Sequence, residues 1–229
     1  MNAKWIKIVA VILMIIDHIG FYLIPEGTIN LVFRAIGRIA YPLFAFMIAE
    51  GFHKTHHLKK YFLRLLLSAL IMEFIILIIY LITLENYLIH INVFIPLLFG
   101  LTGLTLFYQP KWYLKILIIP LLVLSEILQI SYGLYGVLII LIFGIIPKRM
   151  EQITTFILMS LFFIDWPLLT FLNLESLARY PYIQWASILS FIPIILYNKE
   201  KGSYNKWIFY AIYPLHLGII LLIKYLMTR

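Results

Sequence analysis

The chain of 229 residues contains no cysteine. Structural disulfides, zinc–thiolate sites, iron–sulfur clusters and a cysteine nucleophile are therefore excluded for it at once. Charge is scarce too: 12% of the residues are Asp, Glu, Lys or Arg, where a soluble domain carries about a quarter. Carboxylates are the scarcest, 10 against 18 Lys and Arg, which leaves a net charge of +8. Apolar residues take the place of charge at 64%, with a mean hydropathy of +1.01. Such a surface is expected to face the hydrocarbon of a bilayer rather than water. The chain also lacks a repeat of fixed period and any low-complexity tract beyond its Ile/Leu richness.

At roughly 20 residues per crossing, about nine crossings would use the whole length. The expectation is an all-α, polytopic transmembrane helical bundle forming one integral membrane domain over residues 1–229, with no soluble domain. The spans read from the sequence are 5–24, 31–52, 61–83, 91–108, 112–130, 132–147, 153–172, 181–197 and 207–226. They are separated by polar or breaking segments such as Pro25-Glu26-Gly27, 84–90 and 173–180. The stretch 132–147 is short and glycine-bearing, and reads as a span or as a re-entrant segment. Lys4 and Lys7 precede an apolar run as in a signal peptide, but Asp17 and His18 interrupt it and no cleavage pattern follows. A retained first helix is expected.

With the N-terminus placed in the cytoplasm and the C-terminus outside, most lysines fall on inner segments, and Arg179, Lys224 and Arg229 fall outside. That is the positive-inside bias expected of a multi-pass protein of the cell membrane. It accounts for the basic character without nucleic acid as a partner.

Ionisable residues inside the expected spans carry the functional information, because each costs roughly 2.5–3.5 kcal/mol at mid-membrane depth and so faces a cavity or a partner. They are Asp17, His18, Arg34, Arg38, Glu50, Glu73, Glu126, Asp165 and His216. The assumed topology puts Asp17, His18, Arg34 and Arg38 in one outer cluster, with Glu73 and Asp165 at a similar level, and Lys7 and Glu50 at the inner end. Lys7 and His18 are three turns plus about 20° apart, so they share a helix stripe over roughly 16 Å. Asp17 and His18 diverge by about 100°, which favours Arg38 as the partner of Asp17. His18 reads either as a general base acting on an amine or hydroxyl or as hydrogen-bonded packing between helices. His216 follows Pro214, so it marks a kink or a site. His53, His56 and His57 lack a nearby carboxylate and suit a headgroup or phosphate contact better than a metal, and no metal is expected.

These residues resemble the TraX family. The resemblance is carried by Lys7 through Asp17-His18 to Gly20, then Gly37-Arg38, Tyr41-Pro42 and Glu50-Gly51-Phe52. It continues in order through Lys60-Tyr61, Arg64, Ile91-Asn92, Tyr132-Gly133, Tyr135-Gly136 and Tyr213-Pro214-Leu215-His216. The family, named for a protein needed for acetylation of F-type pilin, is similar to a wider group of transmembrane acyltransferases. That group places a basic residue, ten others and a histidine in its first span, as from Lys7 to His18.

The resemblance implies a membrane-embedded acetyltransferase working on a cytosolic acetyl-CoA donor and an outer-face acceptor, which could be a peptide amine, glycan or lipid. It implies His18 as general base or transient acetyl carrier, with Asp17 and Arg38 as further catalytic groups. Lys7, Arg34, Glu50, Arg64, Tyr213 and His216 would serve the coenzyme A thioester. The Ile/Lys/Asn/Tyr-rich composition looks like that of a bacterium. Two other readings fit the same buried charges: a small proton-coupled transporter and a structural component of a membrane complex.

Overall fold

The structure, a computed structural model, describes residues 1–83, 92–165, 181–203 and 206–227. The expected breaks at 84–90 and 173–180, Ile91, the end of the expected span 153–172, Arg179 and Arg229 lie outside the described residues, as does the side chain of Asp165. Every described element is helical: α1 Ala3–Leu23, α2 Thr28–Gly37, α3 Ala40–Lys54, α4 Leu58–Thr83, α5 Phe94–Phe107, α6 Trp112–Ile116, α7 Ile118–Ile127, α8 Gly133–Ile145 and α9 Arg149–Asp165. A 3-10 helix, Pro181–Ser190, then precedes α10 Phe191–Ile195 and α11 Lys206–Met227.

The all-α expectation fits these elements, but nine membrane spans do not. Among the described residues three stretches are long and apolar enough to cross a bilayer: Ala3–Leu23, Thr28–Lys54 and Leu58–Ile78. The expected span 112–130 breaks at Leu117 into two short helices, and 181–197 is a 3-10 helix followed by one turn and a half of α-helix. The 14 residues of α5 and 13 of α8 rise roughly 20 Å, well short of the 30 Å of hydrocarbon. Hydropathy misled because it measures avoidance of water and not what replaces it. Val137, Ile139 and Ile140 of α8 are completely buried in protein, which satisfies them as well as lipid would. The placement of the two termini on opposite sides rested on the span count and falls with it.

The chain forms two compact units, Met1–Phe44 with Ile157–Arg229, and Ala45–Phe156. In the first, α1 packs on both α2 and α11, and α2 packs on the 3-10 helix. Asn2 caps α1 by accepting from Trp5 N–H at 3.2 Å. The N-terminal ammonium donates to the carbonyl of Leu196 at 2.6 Å, and Ala3 N–H donates to that of Glu200 at 2.8 Å, so the chain before α11 meets the start of α1.

At the far end of α1, Ile24 is extended before Pro25, as proline demands of its neighbour, and the helix stops. Asn30 closes the α1–α2 hairpin by donating to the carbonyls of Gly20 at 2.6 Å and Ile24 at 2.9 Å, both left without helical partners. Two glycines then let the helices touch. A Cβ on Gly20 would lie 2.7 Å from Phe33 Cβ, and one on Gly37 would overlap the Asp17 side chain. Arg34 completes the hairpin with an ion pair to Asp17 Oδ2 at 2.7 Å.

In the second unit α5 packs on α4, α7 and α8. Its contact with α8 is glycine-made: Gly100 receives Ile140, and Gly144 receives Leu104. Buried polar groups finish the helix ends. Glu126 Oε2 accepts Leu134 N–H at the start of α8, where Tyr132 adopts left-handed backbone. Gln152 donates to the carbonyls of Phe143 and Ile146 at its end. Asn92 ties α4 to α5 by donating to Ala69 O and Glu73 Oε1, both at 2.9 Å, while accepting Phe94 N–H.

Two stability predictions follow from these contacts. Gly100→Ala forces Ile140 aside and should cost about 1–3 kcal/mol, whereas Gly218→Ala, with nothing within 4 Å, should gain up to about 1 kcal/mol. Denaturant unfolding of the detergent-solubilised protein should show opposite signs. Arg34→Leu leaves the Asp17 carboxylate buried without its cation and should cost about 3–5 kcal/mol. Adding Asp17→Asn should restore most of that loss, and a purely additive double variant would mean the pair is not coupled.

Candidate functional site

Residues from α1, α2 and α11 converge within the first unit. His18 Nδ1 and His216 Nε2 lie 2.7 Å apart, joining positions 198 residues apart in sequence. Their rings are parallel to within 9°, with centroids at 4.9 Å. That separation is just under the N···N distance plus the two ring radii, the most it could be, so the rings meet edge to edge in nearly one plane rather than face to face. The lone pair of one then points along the N–H of the other, the favourable geometry for a hydrogen bond.

Tyr213, buried, stands edge-on to both rings, at 6.1 Å from His18 and 5.3 Å from His216. Tyr22, one helical turn after His18, also packs against its ring at 6.2 Å. His216 Nδ1 bonds the carbonyl of Ile212 within α11 at 2.8 Å.

Beside this pair lies the Asp17–Arg34 ion pair. The Arg34 guanidinium also rests 4.7 Å above the Phe21 ring and donates to the Asp17 carbonyl at 3.5 Å. Arg34, not Arg38, is thus the salt-bridge partner of Asp17. The reason is local: α2 ends at Gly37, and Gly37 itself occupies the surface of Asp17, leaving Arg38 at the C-cap. Lys7 sits lower on α1, its Nζ 5.7 Å from the Phe209 ring centroid. Since Lys7 meets Phe209 and His18 meets His216, α1 and α11 run parallel and present these faces to each other. Between them opens a groove of about 430 Å³, lined by Lys4, Ile8, Ile12, Phe209 and Ile212 among others.

Of the residues singled out from sequence, Asp17, His18, Arg34, Tyr213 and His216 come together, with Lys7 further down the same two helices. Glu50 and Arg64 belong to the second unit. There Glu50 pairs with Lys54 at 2.9 Å, and the Arg64 guanidinium lies 6.0 Å from the Tyr61 ring centroid. His53 bonds the carbonyl of Gly144 at 2.8 Å, alongside the Tyr108 hydroxyl at 2.9 Å, and so finishes α8, while His56 and His57 are exposed. No group of three or more His, Asp or Glu that could hold a metal occurs among the described residues.

Sequence reasoning missed Tyr22, although its spacing of four from His18 places both on one face. It also missed Gln184, Ser187 and Ser190, all buried. Their spacing of three is the period of the 3-10 helix that carries them, which aligns them on one side. A search at period three rather than 3.6 would have found that stripe.

Comparisons with known proteins follow this geometry. A segment of 48 residues is 54% identical to a protein described as uncharacterized from Rickettsia prowazekii (strain Madrid E), covering 21% of this chain and 18% of that protein. The chain thus spans less than a fifth of that relative's length. No solved structure matches. The membrane-length helices and this similarity support a bacterial membrane protein. The model of the family described as TraX protein matches residues 2–224. The chain therefore belongs to the TraX family, a membership consistent with a membrane-associated, transferase-like role.

Proposed function

We propose that this protein is a membrane acyltransferase that moves an acetyl group from acetyl-CoA to an amine or hydroxyl on a peptide, glycan or lipid. The observation that carries the reading is the His18–His216 pair, an imidazole hydrogen-bonded across two helices at 2.7 Å and walled by Tyr213. A general base needs a nitrogen held in a fixed direction, and the bond to the second imidazole supports that hold.

In the reaction, His18 takes the proton of the acceptor N–H or O–H as that atom bonds to the thioester carbon. The tetrahedral oxyanion collapses, the C–S bond breaks, and the proton passes from His18 to the departing thiolate. Carriage of the acetyl group on His18 itself is the two-step variant of the same route. Arg38 is the proposed cation for the oxyanion, and the Asp17–Arg34 pair holds α1 and α2 in register around it.

The thioester arm of the donor suits the groove between α1 and α11. Lys4 lines it and Lys7 lies by the Phe209 ring that also lines it, two cations to meet phosphate, and Ile212 lies one turn before His216. Its apolar walls match a thin, largely uncharged chain.

Purified protein with acetyl-CoA and an amine or sugar acceptor should release free coenzyme A. His18→Ala should lower kcat about 10²–10⁴-fold. Acetyl-CoA at a hundred times its Kd should add about 2.7 kcal/mol of stability. Full turnover in His18→Ala would remove the assignment, and no stabilisation at saturating acetyl-CoA would favour substrate translocation instead.

A further inference from the structure

Building on that acyltransfer reading, we propose that His216 is a positioning residue that sets the tautomer of His18, with the proton on Nδ1 and the lone pair on Nε2. The hydrogen bonds themselves supply the direction. A carbonyl oxygen only accepts, so the 2.8 Å contact to Ile212 O requires the hydrogen on His216 Nδ1. An uncharged imidazole has one N–H, and His216 Nε2 must then present its lone pair. The 2.7 Å bond to that lone pair requires the hydrogen on His18 Nδ1. In the uncharged pair, His18 Nε2 is left as the basic nitrogen, and no described residue hydrogen-bonds it.

The order runs one way, from a backbone carbonyl of α11 through His216 to His18, and each link leaves one choice for the next. An isolated histidine side chain in water favours the opposite tautomer, with the proton on Nε2, so the setting has to be imposed. The coplanar ring geometry and the edge-on Tyr213 oppose a ring flip that would exchange the two nitrogens. His216 accordingly need not touch the donor or the acceptor. Its effect passes through His18, and this differs from a place among the coenzyme A contacts. A base offered through the wrong nitrogen is costly, up to about 10⁴-fold in kcat where an orienting partner is altered.

The test reads the tautomer directly by nitrogen-15 NMR of histidine-labelled protein in detergent, with His18 assigned by its loss in His18→Asn. The wild-type His18 ring should carry its proton on Nδ1. His216→Leu, which removes the acceptor, should move the proton to Nε2. His216→Gln, whose carbonyl oxygen can accept from His18 Nδ1, should keep it on Nδ1. A wild-type ring protonated on Nε2, or a His216→Leu spectrum unchanged from wild type, overturns the proposal. If His216→Leu does not fold, the wild-type and His216→Gln spectra still decide it.

These spectra need no substrate, so absence of acetyl transfer in the wild type would count against the enzymatic reading alone. In active protein, His216→Leu should lower kcat on the order of 10²-fold with KM for acetyl-CoA changed less than about threefold. His216→Gln should recover most of the loss. A KM rise with kcat unchanged would place His216 among the donor contacts and overturn the positioning role.

Discussion

The bond between His18 and His216 depends on two helices distant in sequence holding a fixed register, and much of the first unit serves that register. The N-terminal ammonium, Ala3 and Asn198 tie the start of α1 to the chain that precedes α11. Asn30 and the Asp17–Arg34 pair hold the other end of α1 against α2. Between these two anchors α1 is a continuous rod, so the ring of His18 cannot drift along α11. Loss of the buried Asn30 amide would leave the Gly20 carbonyl unmet in apolar surroundings, where a polar group without a partner costs roughly 2–7 kcal/mol.

The second unit applies the same rule to a different end. Its helices α5 to α8 are short, and a short helix has as many unsatisfied terminal groups as a long one. Glu126 opens α8, while Gln152, His53 and Tyr108 close it. Glu126, read from the sequence as membrane-buried charge, and His53, one member of the histidine cluster, thus finish the two ends of α8. Glu73 likewise answers Asn92 between α4 and α5. Some ionisable residues finish helices and others gather around His18, while Glu50 pairs along its own helix with Lys54.

That division explains how far the sequence could be read. The all-helical character, the first three apolar stretches, the family and the positions Asp17, His18, Arg34, Tyr213 and His216, which come together in the first unit, were legible. Their signals are composition, local periodicity and ordered motifs, which need no partner. The nine spans were not, because an apolar run of 13 residues buried in protein looks like part of one buried in lipid. The partner of Asp17 was assigned to Arg38 on helical spacing alone, which could not show that α2 stops at Gly37 and offers Arg34 instead. The stripe of Gln184, Ser187 and Ser190 stayed hidden because its helix has three residues per turn.

By itself the sequence determined that the chain is helical, apolar and free of thiol chemistry, and that Lys7 and His18 share one face of one helix. Those properties follow from side-chain chemistry and from 100° per residue along a single rod. Only the tertiary structure decided that His216 faces His18, that α1 and α11 run parallel, and that the carbonyl of Ile212 directs the hydrogen bond between the two rings. Helical periodicity sets how residues of one helix are disposed around its axis, but the identity of a neighbour 198 positions away depends on packing across the whole unit.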